Sequence, residues 1–165
     1  MAGYETKTFS KHDDYMTPQS AWENISHLIP KDKVIWECFY GDGKSGEYFE
    51  DMGFKVIHED IDFFEHNKGD IIISNPPFSM KKEVFSRLIE LDKPFIMLSS
   101  QQVIFTQYLK NIMKGKNLQI IIPRKRIQFI KIKDGEYVDT GNRCNFDCFY
   151  YCYKMNLPRD IIWLD

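Results

Sequence analysis

The run Ile71-Ile72-Ile73, which leads without a break into Ser74-Asn75-Pro76-Pro77-Phe78, constrains this chain more than any other segment. Three consecutive isoleucines leave no polar side for solvent. A strand built from them is therefore covered on both faces, as in a mostly parallel sheet. Two prolines in succession fix φ and remove two backbone donors, so the strand has to end near Ser74. The next residues make a stiff loop at the carboxyl end of a buried strand, which is where open α/β sheets hold their ligands.

The other segments fit such a sheet. Thr17-Pro18 opens a helix, with a cap-type residue before a proline at the first helical position. Ala21, Trp22, Ile25, Leu28 and Ile29 then recur at helical spacing until Pro30. Residues 34–39 predict a strand, 41–46 a glycine-rich turn, and 47–52 a short helix closed by Gly53. A second strand over 54–58 ends in the acidic cluster Glu59-Asp60-Ile61-Asp62. After the isoleucine strand the pattern predicts a helix over 80–91, a strand over 95–98, a helix over 103–113 and a strand over 119–122. Alternation over 127–133 predicts a sixth strand. After a turn at 134–136, residues 146–153 predict a long aromatic one. Strand and helix in alternation predict one α/β domain over 1–165, with a mostly parallel sheet of six to seven strands and helices on both faces. Residues 1–12 are polar and expected to be loose.

Composition narrows the function classes. A length of 165 residues suits one domain, and 43% hydrophobic content supports a real core. No apolar run approaches the ~18–20 residues of a membrane span. The N-terminal residues lack the apolar stretch of a secretory signal, which predicts an intracellular protein. Cys144, Cys148 and Cys152 recur every fourth residue, which is not a zinc spacing; they read as small apolar residues on one face of a strand, and no metal is expected. A net charge of −2 argues weakly against a polyanionic partner, but its distribution argues for one. From Lys93 to Lys133 there are nine basic residues and no acid, against 13 basic and 24 acidic residues elsewhere. That asymmetry predicts a basic face for nucleic acid.

Three segments carry chemistry, each just past a predicted strand. Gly41-Asp42-Gly43-Lys44-Ser45-Gly46 lets the backbone turn tightly and approach a ligand, and Asp60 or Asp62 lies about twenty residues on, where an acid bonds ribose hydroxyls. Strand, glycine turn, helix, strand and acid together read as a site for an adenosine-containing cofactor. In Asn75-Pro76-Pro77-Phe78, the Asn amide oxygen and the Pro76 carbonyl are two acceptors for the two hydrogens of a planar exocyclic amine. Bonding both frees the nitrogen lone pair, and Phe78 offers a face on which a base stacks.

On these residues the chain resembles a class I S-adenosylmethionine-dependent methyltransferase of the N6-adenine type. Asn75-Pro76-Pro77-Phe78 matches that family's catalytic motif. Glu37-Cys38-Phe39-Tyr40-Gly41-Asp42-Gly43 resembles its cofactor motif, with Glu-Cys where Asp-Pro is more usual. Asp14-Tyr15-Met16-Thr17-Pro18 resembles the segment that holds the methionine end of the cofactor. Asp60 and Asp62-Phe63 resemble the ribose- and adenine-binding segment. Arg126-Ile127-Gln128-Phe129 resembles the late motif whose aromatic ring stacks on the target base. The resemblance covers residues 13–153 and is nearest to minimal Dam-type enzymes of viruses and phages.

It implies a Rossmann-like class I fold and S-adenosyl-L-methionine held by Tyr15, Thr17, Pro18, Glu37, Phe39, Gly41, Gly43, Asp60, Asp62 and Phe63. It implies Asn75, Pro76, Pro77 and Phe78 around the reacting amine, and Lys81, Lys82, Arg124, Lys125, Arg126 and Phe129 toward nucleic acid. DNA is the favoured substrate. RNA, or less readily a protein glutamine, is the alternative; Phe78 and the acid-free stretch argue against the last. Only twelve residues separate Asp62 from Asn75, so one strand of the usual seven is expected to be missing or vestigial. With no insertion for a target-recognition domain, specificity is expected to be weak, read through loops, or borrowed from a partner or a second copy.

Overall fold

A computed structural model describes residues 15–133, 136–138 and 146–165. Its centre is a seven-stranded sheet built from β2 (Val34–Trp36), β3 (Lys55–Ile57), β4 (Ile71–Ser74), β5 (Phe95–Ser100), β6 (Leu118–Ile122), β9 (Cys148–Tyr153) and β10 (Ile161–Trp163). The order across the sheet is β10-β6-β9-β5-β4-β2-β3. β9 runs antiparallel to β5 and β6, and the other pairings are parallel. This is the expected mostly parallel α/β architecture.

The period of two along each strand sorts its side chains between two layers. On one face Ile35, Ile71, Ile73, Ile96, Leu98 and Tyr150 pack under α1 (Gln19–Glu23) and α2 (Lys44–Asp51), where Trp22 and Phe49 are fully buried. On the other face Trp36, Ile72, Phe95, Met97 and Tyr151 pack under α3 (Lys81–Leu91) and α4 (Gln107–Ile112), through Val84, Phe85, Leu88 and Leu109. Ile71 and Ile73 thus face one layer and Ile72 the other, which is why the run has no polar member. Cys148 and Cys152 share a face of β9 in the first layer; Cys144 lies outside the described residues. Among the described residues no helix is long and apolar enough to cross a membrane.

Among the features that differ from the sequence expectation or refine it, four concern strand pairing and the start of the chain's first helix. The segment 127–133 yields β7 (Ile130–Lys133), but this strand does not join the main sheet. It pairs antiparallel with β1 (Tyr15–Met16) and with β8 (Glu136–Val138), forming a separate three-stranded sheet. The seventh strand of the main sheet is β10, an edge strand near the end of the chain, where no strand was expected. Between β3 and β4 there is a single 3-10 turn, Phe63–Glu65, and no strand, as the short spacing implied. The first helix stops at Glu23 and resumes only as a 3-10 turn at Ser26–Leu28. Pro18, not Thr17, holds the cap position, and the Thr17 hydroxyl accepts from Asn75.

The acid-free stretch also divides. Lys93 and Lys116 precede β5 and β6, at the amino ends of the strands, and Lys93 bonds the carbonyls of Lys68 and Gly69 there. Arg124, Lys125 and Arg126 come after the carboxyl end of β6. One run of sequence therefore supplies two opposite edges of the sheet.

Candidate active site

The chain leaves β2 for β3 on one side and later places β4 on the other side of β2, so the sheet switches direction between β2 and β4. Crevices at such points, beyond the carboxyl ends of the strands, take ligands. Glu37 is the first residue past β2 and Asn75 the first past β4.

Glu37 is 3% exposed. Its Oε1 accepts from the Phe39 amide at 3.0 Å and from the Ser74 hydroxyl, which ties the turn after β2 to the residue preceding Asn75. Burial dominates those two hydrogen bonds and pushes the carboxyl up to about 8. Gly43 begins α2 with φ of +81°, and a Cβ there would lie 2.8 Å from Tyr40 Oη. A side chain is thus barred twice, by conformation and by contact. Gly41 is also left-handed, and Met16 packs beside it. Tyr40 in turn stacks on His58, at 6.2 Å and 12°.

Asn75 is held from behind. Its Nδ2 donates to Thr17 Oγ1 at 3.0 Å, and Thr17 is itself buried. Its Oδ1 is buried without a hydrogen-bond partner among the described residues. A lone buried acceptor costs about 1–3 kcal/mol, so the position is one a donor satisfies. Pro76 and Pro77 are buried beside it, and Phe78 is half-buried at the start of a 3-10 turn.

Phe78 opens onto a cleft of about 450 Å³, lined also by Tyr15, Phe146, Lys81, Ser100 and Gln101. Three rings meet there. Phe146 lies 5.2 Å from Phe78 at 80° and 5.5 Å from Tyr15 at 84°. Nothing in its sequence setting marks Phe146 as a site residue. Phe129 carries such a mark, but it is only 1% exposed and stacks behind Phe146 at 5.3 Å and 25°. The face open to the cleft belongs to Phe146, and Phe129 backs it.

Asp62 spends Oδ1 on the Phe64 amide, capping the 3-10 turn, while Asp60 is exposed. Phe63 is fully buried between Trp36 and Phe39, so it forms a floor and offers no open face. Phe39 is likewise buried. Pro18 stands outside the helix as its cap. Lys81 does not reach outward: its Nζ donates to Ser100 Oγ at 3.0 Å and lies 5.2 Å from the Phe78 ring. Arg126 forms a two-pronged ion pair with Asp147, at 2.9 and 2.8 Å. Lys82, Arg124 and Lys125 lie at the surface. Among the described residues no group of three His, Cys, Asp or Glu could hold a metal.

Comparison with known proteins bears on this site. The family model described as adenine-specific methyltransferase EcoRI matches residues 27–147. The Type II methyltransferase M.EcoRI of Escherichia coli is 30% identical over a stretch covering 44% of this chain and 27% of its own length. The chain thus spans well under half of that relative. Among solved structures, PH1948 of Pyrococcus horikoshii, a proposed RNA methyltransferase, superposes with a TM-score of 0.52 over 90% of this chain and 93% of its own. At 16% identity it shows the shared fold alone. The match to the family model takes in β2, β4 and the loops beyond both, and by it the chain belongs to the EcoRI family of adenine-specific methyltransferases.

Proposed function

We propose that the chain transfers a methyl group from S-adenosyl-L-methionine to the N6 amine of adenine in a nucleic acid, with DNA favoured. The observation that carries this reading is the Asn75 side chain, with its amide nitrogen anchored to Thr17 and its amide oxygen buried and unpartnered, three residues before the Phe78 that lines an aromatic cleft.

The residues fit the cofactor. The left-handed Gly43 and Gly41 keep the turn after β2 free of side chains. The Glu37 carboxyl, at the switch point, is an anion in waiting for the cofactor's positive charge. S-adenosylmethionine supplies, when bound, a methyl group on a sulfonium that the N6 lone pair displaces in line.

The protein's part is positioning. Phe146, Phe78 and Tyr15 receive the base, which a duplex must flip out at a cost of a few kcal/mol. Asn75 Oδ1 and the Pro76 carbonyl accept the two N6 hydrogens and free the lone pair. The lone pair held there would take up the methyl that the bound cofactor would supply, with the thioether as leaving group, and the extra N6 proton would pass to water afterwards. No side chain with a shifted pKa is required as a base.

Asn75→Ala tests the reading. Turnover is expected to fall at least about a hundredfold, the scale for losing one oriented polar group at a reacting centre. Cofactor affinity, measured by calorimetry, is expected to stay within about threefold. Unimpaired turnover would overturn the proposal.

A further inference from the structure

The Arg126–Asp147 pair stands between two clefts. Asp147 lines the aromatic cleft. Arg126 lines a second groove, of about 600 Å³, between Pro18, Ser20 and Asn24 along α1 and its two caps and the segment 123–128. Ile127 and Gln128 border that groove, while the next residue, Phe129, stacks on Phe146 of the aromatic cleft. The two spaces therefore adjoin, and the ion pair is part of their common wall. The groove carries Arg124, Lys125 and Arg126 against one carboxylate, Asp165. Its walls are anchored: the Tyr150 hydroxyl donates to the Ala21 carbonyl at 2.6 Å, fixing α1 to β9.

The pair itself is easily exchanged. Its side chains are 42% and 39% exposed, and exposed pairs contribute ~0–1 kcal/mol. A phosphodiester offers a guanidinium the same two-oxygen fork as a carboxylate. We propose that the groove seats the backbone of the nucleotide adjoining the target adenine, and that Arg126 trades Asp147 for its phosphodiester when a strand binds. Asp147 holds the guanidinium at the boundary until then and keeps the empty site from binding anions indiscriminately. This rests on the aromatic cleft being the target-base pocket.

The test is fluorescence anisotropy with a labelled single-stranded 12-mer containing one adenine, across a salt series. Asp147→Asn is expected to bind about threefold tighter. Arg126→Gln is expected to bind about tenfold weaker and to lose about 0.7 from the slope of log affinity against log salt. A neutral methylphosphonate at the linkage adjoining the adenine is expected to weaken the wild-type chain and leave Arg126→Gln unaffected. Weaker binding by Asp147→Asn would make the pair structural and overturn the proposal. So would wild-type indifference to the methylphosphonate on either side of the adenine, a measurement that needs no variant to fold. Binding is read without turnover. A chain that passes these tests yet makes no N6-methyladenine loses the activity and keeps the groove; one that methylates adenine but ignores both substitutions loses the groove alone.

Discussion

Glu37 and Asn75 each sit one residue beyond a strand, and burial acts on them differently. The Glu37 carboxyl, pushed up to about 8, holds its proton at neutral pH. A bound cation favours its ionised form, so cofactor affinity is expected to rise with pH by up to about tenfold per unit between pH 6 and 8 and then level off. Glu37→Gln is expected to flatten that profile in a calorimetric titration; an unchanged slope would remove Glu37 from the cofactor's reach. The sign for stability is opposite. The folded state binds the extra proton, so this group's contribution is full below the ordinary carboxylate range and is lost as pH rises toward 8. The two phenylalanines separate in the same physical terms. Phe146→Ala is expected to weaken oligonucleotide binding by about 1–3 kcal/mol with little loss of stability. Phe129→Ala is expected to cost about 3–5 kcal/mol in urea denaturation, because its ring is core. The reverse ranking would make Phe129 the stacking face. The stiff loop that holds Asn75 was legible in the sequence because two prolines fix its setting. That Phe146 lines the cleft with Phe129 buried against it was not, since both are aromatic and burial depends on which packs from behind.

Elements were legible where one short run decides its own environment. The isoleucine strand, the left-handed glycine turn and the helix after Pro77 all formed as expected. The main-sheet pairing of β10 and the separate pairing of β7 were not legible, for a common reason: both depend on distant partners. Alternation over 127–133 predicts a strand correctly, but its pairing outside the main sheet depends on partners elsewhere in the chain, β1 and β8. β10 is three residues long, with Ile161 and Trp163 exposed, and carries no strong pattern. Gln119 helps hold it in place. Its buried amide donates to the carbonyls of Leu157 and Arg159 and accepts from the Leu157 amide. Gln119→Ala leaves those backbone groups unsatisfied and is expected to destabilise by about 1–3 kcal/mol, with faster amide exchange in β10 than elsewhere in the sheet. Unaltered exchange across 157–163 would show that strand pairing alone retains the edge.

For the molecule as a whole, the acid-free stretch pointed to a polyanion but not to its place. The fold sends Lys93 and Lys116 to the amino ends of the strands and Arg124 to Arg126 to the carboxyl ends, where the candidate site lies. Neutralising Lys116 is therefore expected to leave the salt dependence of oligonucleotide binding unchanged, and a fall of about 0.7 or more in its slope would place that lysine at the interface. The order of the motifs, by contrast, translated directly into space, because the sheet gathers the carboxyl ends of β2 and β4 at one switch point. The most direct measurement of the central claim is transfer from methyl-labelled S-adenosylmethionine to single-stranded DNA, duplex DNA and RNA, with the products digested to nucleosides. Label in N6-methyldeoxyadenosine, with single strands preferred to duplex where flipping limits the rate, is the expected result. N6-methyladenosine from RNA alone would move the substrate, and absence of label from every adenine, with the cofactor bound, would contradict the assigned activity.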